Sequence, residues 1–206
     1  MDIVAVALAF LIGAIPWGYL VGRFGGGFDV RQVGSGGTGA TNILRTMGKR
    51  ASALVFVLDF LKGLLPVVIG RWLGLPEWVV ALMAVATVAG HCWSPFIGFK
   101  GGKGVATGAG AAIALFSFTL VALPVLALIV WRTRFVSLGS LAGTALAALL
   151  AVAAALTGYL DWASALAIVA MSAIIFERHR ANIARLRMGT ERRIGESIQT
   201  KAITSN

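Results

Sequence analysis

Five stretches of the chain carry no charged side chain: Ile3 to Gly22, Trp78 to Phe99, Gly104 to Trp131, Phe135 to Leu160 and Trp162 to Phe176. A bilayer core of roughly 30 Å takes about 20 apolar residues per helical pass, so most of these stretches can span it. One more span, second in order, contains Asp59 and Lys62 three residues apart. Charges at that depth must pair or line a polar cavity, and a buried structural pair is expected. The first stretch reads as a retained helix. Met-Asp precedes it instead of a basic segment, and Pro16-Trp-Gly-Tyr offers no small-residue cleavage site.

The polar links sort the spans by side. Basic residues gather in 23 to 50, 100 to 103, 132 to 134 and 178 to 201, whereas the links around Arg71 to Glu77 and Thr157 to Asp161 are short and nearly neutral. Positive-inside bias puts the basic groups in the cytoplasm and the N-terminal Met-Asp outside. Lys103 and Arg132 then share one side, so an even number of passes separates them. The uncharged residues from Gly104 to Trp131 are long for one helix and short for two. They predict a hairpin turning near Phe116 to Thr119, with arms of only ~21 Å at about 1.5 Å per residue. The resulting fold is an all-α bundle of seven transmembrane helices, some short, with the N-terminus outside and the C-terminus cytoplasmic. The competing count is six, with one tilted helix kinked at Pro124.

Composition agrees and narrows the chemistry. Hydrophobic residues make up 58% of the 206 and charged residues 13%, too little polar surface for a soluble domain. Residues 1–206 therefore form one membrane bundle. Lys and Arg number 18 against eight acids, an excess that suits anionic headgroups or phosphorylated substrates; with this hydrophobicity, nucleic acid is not an expected partner. Cys92 is alone, and two histidines with one cysteine do not make a metal cluster, so neither metal nor cofactor is expected.

Three polar segments meet on the cytoplasmic face. In "GSGGTGATN" (34 to 42) a glycine-rich loop feeds a helical pattern, Ile43 to Met47, stopped by Gly48. Free backbone N–H groups at such a helix start, with Ser35, Thr38, Thr41 and Asn42 beside them, suit an anion. A flexible loop with an N-cap at Thr41 is the plainer alternative. In "GFKGGKGVATG" (98 to 108), Gly101, Gly102 and Gly104 allow close backbone approach to a ligand while Lys100 and Lys103 add charge. The nucleotide-binding spacing fails, because Ile97 replaces its first glycine and Gly104 its Ser or Thr. Gly104, Gly108 and Ala112 also form a small-residue packing face. The third segment, 177 to 195, is basic, and most of its arginines suit lipid headgroups. His179 and Asn182, three apart, are placed to bond ligand hydroxyls, with capping or packing nearly as good an assignment. His91, at the end of the third span, is expected to be interfacial or supporting.

No nucleophile with its base is legible. Val33 replaces the first glycine of a G-x-S-x-G elbow at Ser35, and neither His91 nor His179 has a carboxylate five residues on. Anion holders without acid-base machinery fit a reaction whose substrate brings a good leaving group.

The segments "SGGTGATN" (35 to 42), "DFLKG" (59 to 63), "GHCWSPFIGFKGGKGVAT" (90 to 107) and "RHRANIARLRMGTERRIG" (178 to 195) resemble the bacterial membrane glycerol-3-phosphate acyltransferases that use acyl phosphate. The resemblance covers essentially the whole chain. It implies seven passes in the inner membrane, a cytoplasmic active site, and transfer of a fatty acyl group from acyl phosphate to the 1-hydroxyl of glycerol 3-phosphate. It further implies that Ser35 and the backbone of Gly39, Ala40, Thr41 and Asn42 hold the donor phosphate. Arg45, Lys100 and Lys103 would hold glycerol phosphate or bridge both anions, and His179 and Asn182 would orient its hydroxyls. The alternative from another class is an anion or phosphometabolite transporter, disfavoured because the polar motifs lie on one side and no inverted repeat is apparent.

Overall fold

The apolar stretches become helices, and the links between them fix where each begins. A computed structural model describes residues 2–196. Met1, expected outside, and Lys201, which closes the last basic group, fall outside the described residues. α1 (Asp2–Ala14) stops at Pro16, which has no N–H to donate, and the chain resumes as α2 (Trp17–Gly26). After a single 3-10 turn come α3 (Ala40–Met47), α4 (Lys49–Trp72) and α5 (Glu77–Cys92). Asp2–Gly26, Lys49–Trp72, Glu77–Ile97 and Val136–Leu156 are each long and apolar enough to cross a membrane. Leu54, Phe56, Val57, Leu61 and Val68 stay exposed along α4, an outer surface that suits lipid.

The run from Gly104 to Trp131 breaks where its length required. α6 (Val105–Leu115) ends at Phe116, whose φ of −148° and ψ of 100° are extended. The 3-10 segment Ser117–Val121 leads into α7 (Ala122–Thr133), and Pro124 sits harmlessly in its first turn. α8 (Val136–Leu156), α9 (Trp162–Arg178) and α10 (Arg180–Arg187) complete ten α-helices, with no strand among the described residues. Asp161 caps α9 by accepting from the Ser164 N–H at 2.8 Å.

Two helix crossings organise the bundle, and they are copies of one another. At the first, Gly13 of α1 and Gly90 of α5 are so close to the facing helix that a Cβ would overlap the carbonyl oxygens of Thr87 and Phe10. At the second, Gly63 of α4 and Gly110 of α6 meet the carbonyl oxygens of Thr107 and Phe60 in the same way. The sequences match: Phe-Leu-Ile-Gly-Ala-Ile-Pro at 10 to 16 against Phe-Leu-Lys-Gly-Leu-Leu-Pro at 60 to 66, and "VATVAG" at 85 to 90 against "VATGAG" at 105 to 110. Bare glycine edges let backbones approach within Cα–H···O distance, the small-residue packing that lipid-embedded helices rely on.

α1 and α5 run parallel, since Thr87 Oγ1 donates to Ala9 O (3.2 Å) and Ser94 Oγ to Ala14 O (2.6 Å). α4 opposes α5, with Asp59 beside His91 towards one end and Gly70 on Met83 towards the other. α6 follows α4, and Arg71 reaches the carbonyls of Ala114 (2.5 Å) and Leu115 (3.1 Å) at its end. The two parallel pairs thus point in opposite directions, so a short crossing motif recurs inverted, although the helices that carry its two copies interleave along the chain. The relation is hidden in the sequence because the two pieces are offset unequally: Phe10 corresponds to Phe60 but Val85 to Val105.

Candidate functional site

The first loop is tied into shape by one side chain. Buried Asn42 donates from Nδ2 to the carbonyls of Val30 (2.9 Å), Val33 (3.1 Å) and Gly37 (2.9 Å), and its Oδ1 accepts from the Ser35 N–H at 2.8 Å. The amide is thereby committed to the loop rather than to a ligand. α3 starts at Ala40, with Gly39 as N-cap, three residues earlier than the helical pattern from Ile43 and without a cap at Thr41. The Asn42 and Ile43 N–H groups return to Gly39 O, while those of Ala40 and Thr41 bond no carbonyl among the described residues. A helix start with free N–H groups is an anion site. Arg45 is half-buried one turn on, and among the described residues its guanidinium has no partner. Burial and neighbouring Arg192 lower its pKa, although a guanidinium keeps its charge.

The second loop lies across the end of α5. The Gly102 N–H donates to His91 O (3.1 Å), satisfying a carbonyl that a helix terminus leaves free. Arg178 holds it from the other side, donating to Gly102 O and Gly101 O, both at 3.2 Å. Gly104 then turns the chain into α6 at φ +84°, a conformation that other residues adopt only under strain. Lys103, between these fixed points, makes no hydrogen bond or ion pair with any described residue. Burial, together with Arg185, Arg45 and Arg178, lowers its pKa to about 8 against the pull of Glu191.

The third segment closes the site. His179 ends α9, and its Nδ1 lies 2.8 Å from Ile175 O. A carbonyl only accepts, so Nδ1 carries the hydrogen and Nε2 is a free acceptor. Burial lowers this pKa to about 4, keeping the ring neutral. Asn182 Nδ2 donates to Glu191 Oε1 at 2.6 Å, and Glu191 also accepts from Ser137 Oγ (2.8 Å) and Arg185 Nε (2.7 Å). Burial alone would raise the Glu191 pKa, but these donors bring it below the usual glutamate range.

The three segments converge on one cavity of about 380 Å³. Ser35, Gly39, Ala40, Thr41, Asn42, Arg45, Gly101, Gly102, Lys103, Gly104, His179 and Asn182 all line it. Lys100 does not; it is exposed outside. Asp59, His91, Arg178 and Glu191, none of them placed in the site from sequence, line it as well. Arg178, Arg185 and Arg192, expected at headgroups, instead bond Gly101 and Gly102, Glu191, and Gly34 O respectively. The legible signal for Glu191 was its standing as the sole acid between Arg178 and Arg193. A narrower apolar slot of about 50 Å³, walled by Gly108, Ala112, Gly143, Ala147 and Met171, adjoins the cavity through Val105 and Leu126, which line both.

This arrangement has known counterparts. Residues 3–189 match the family model described as glycerol-3-phosphate acyltransferase. A glycerol-3-phosphate acyltransferase of Synechococcus sp. (strain CC9902) is 43% identical over 197 residues, 95% of this chain and 96% of its own. Glycerol-3-phosphate acyltransferase 1 of Deinococcus radiodurans is 44% identical over 197 residues, covering 95% and 97%. The crystal structure of PlsY (YgiH), an integral membrane glycerol 3-phosphate acyltransferase, in its glycerol 3-phosphate form superposes with a TM-score of 0.87 at 39% identity, covering 94% of this chain and 96% of that one. With sequence and fold matched over nearly its full length, the chain belongs to the glycerol-3-phosphate acyltransferase family.

Proposed function

We propose that this protein moves a fatty acyl group from acyl phosphate to the 1-hydroxyl of sn-glycerol 3-phosphate, yielding lysophosphatidic acid and inorganic phosphate. The observation that carries this reading is the convergence on one polar cavity, which opens into an apolar slot, of a helix start and two cations, Arg45 and Lys103, that have no partner among the described residues. One PlsY structure is a glycerol 3-phosphate form and the other, which superposes with a TM-score of 0.82, a lysophosphatidic acid form.

The donor phosphate rests on the N–H groups of Ala40 and Thr41 and the Ser35 hydroxyl, with its acyl chain in the slot beneath α6 and α8. Glycerol 3-phosphate lies against Lys103 and Arg45, and His179 Nε2 accepts the hydrogen of its attacking hydroxyl. That oxygen adds to the acyl carbonyl carbon, the carbon–oxygen bond to phosphate breaks, and the departing phosphate takes the proton. An imidazole with a pKa of about 4 orients a hydroxyl well but is a poor sink for its proton. The departing phosphate oxygen, which leaves with the electron pair of the broken bond, is the better acceptor.

The bundle crosses the inner membrane seven times, the cavity facing the cytoplasm and the N-terminus outside. Supporting this, Lys103 and Arg134 flank the broken run and both lie by the third segment: Glu191 acts on Lys103, and Arg134 bonds Ile194 O at 2.7 Å. The inverted crossings remove one objection to a carrier, but a cavity assembled from three segments at one end favours a transferase. The test is purified protein with labelled glycerol 3-phosphate and either acyl phosphate or acyl-CoA. Lipid product with acyl phosphate alone is expected; product from acyl-CoA alone, or from neither donor, contradicts the reading.

A further inference from the structure

The duplicated crossing contains its own control. Asp59 and Lys62 flank the α4–α6 crossing at the positions where α1 carries Ala9 and Ile12, and His91 follows Gly90 where Ala111 follows Gly110. The α1–α5 crossing brings its glycines equally close to the facing carbonyls with Ala9 and Ile12 at those positions. Helix packing therefore requires neither the ion pair nor the imidazole. A buried ion pair gives up hydration that its mutual attraction seldom restores in full, and apolar residues commonly replace one without loss of stability. Something other than packing accounts for its presence here.

The cluster points into the catalytic cavity. Lys62 Nζ lies 2.8 Å from Asp59 Oδ1 and donates to Ile15 O at 2.7 Å, which anchors the carboxylate to α1 as well as α4. Asp59 Oδ1 lies 3.6 Å from His91 Nδ1, and Asp59 and His91 both border the cavity. The His91 ring in turn lies against Gly102, where any Cβ would overlap its Nε2, and the His91 carbonyl accepts the Gly102 N–H at 3.1 Å. One residue thus meets Gly102 through both its backbone and its ring, and Lys103 is next in the chain. Side chains locked by such an underlying layer hold a site more sharply than a loop can by itself.

We infer that Asp59, Lys62 and His91 are positioning residues that fix the Gly101-Gly102 backbone and, through it, the ammonium of Lys103 over the phosphate of glycerol 3-phosphate. This deepens the proposed acyl transfer and rests on it. The test replaces the cluster by its counterparts in the same chain: Asp59→Ala, Lys62→Ile and His91→Ala together. The triple variant is expected to purify as a monodisperse folded protein, with KM for glycerol 3-phosphate raised tenfold or more and KM for acyl phosphate changed less than threefold. Added to Lys103→Ala, it is expected to cost less than a further twofold. Normal kinetics, or losses that multiply with those of Lys103→Ala, overturn the inference. Asp59→Asn alone, followed by amide hydrogen exchange without substrate, decides the matter if the triple variant does not fold. Faster exchange in residues 98–104, with α1 unchanged, is expected; unchanged exchange at 98–104 overturns the inference. Because the exchange experiment needs no turnover, it separates failure of the positioning role from failure of the proposed reaction.

Discussion

Lys103 is held where a lysine is least at ease, half-buried, near three arginines and without a counter-ion among the described residues. An anionic ligand supplies what the fold withholds. Two predictions follow from that imbalance. Removing one preorganised donor costs about 3 to 4 kcal/mol, so Lys103→Ala is expected to lower kcat by roughly 10²-fold or more in a steady-state assay. With a free-enzyme pKa lowered to about 8, Lys103 is charged below that pH and neutral above it. The kcat/KM for glycerol 3-phosphate should therefore fall as pH rises through about 8, and Lys103→Arg should move that limb to higher pH; a limb that stays in place excludes Lys103 as its origin. At this scale sequence supplied the residue types more surely than their commitments. Asn42 and Asn182 were legible as site residues, yet the Asn42 amide nitrogen is spent on the 30–37 loop and that of Asn182 gives one of its two hydrogens to Glu191. Arg178 was hidden among many basic neighbours, because charge runs look alike until a fold chooses which members turn inward, whereas Glu191 stood out only as the sole acid among them.

Among elements, the break in the long apolar run was readable from length and charge parity together, since parity demanded two passes where one helix fitted poorly. The duplicated crossings were not, because their motifs are short and unequally offset. Their energetics are nonetheless sharp. Gly63 and Gly110 face backbone rather than flexible side chains, so a branched side chain there must separate α4 from α6. Overpacking of a core typically costs 1 to 3 kcal/mol, and a backbone neighbour puts these sites at about the upper end. Gly63→Val and Gly110→Val are each expected to lower the melting temperature of the detergent-solubilised protein by about 10 °C or to prevent its recovery. Gly39→Ala, at φ −81° with open space around it, should melt like the parent protein. Equal melting of all three variants would remove the glycine crossings as the basis of the fold.

As a whole molecule, the bundle is polar at one end only. The far end holds the Arg71–Glu77 pair, the Ser164 hydroxyl that bonds Glu77 at 2.9 Å, and little other charge. Cys92 is fully buried and should be silent to polar maleimides, so cysteines introduced at Gly74 and Gly189 can report sidedness. In right-side-out vesicles Gly74→Cys is expected to label and Gly189→Cys only after permeabilisation; the reverse pattern would invert the proposed orientation. The proposed placement of both phosphates in one cavity makes a stored acyl-enzyme unnecessary, and that is most directly tested by single-turnover quench with acyl phosphate in the absence of glycerol 3-phosphate. No phosphate burst and no acylated protein are predicted until glycerol 3-phosphate is added; a burst equal to the enzyme concentration would contradict direct transfer.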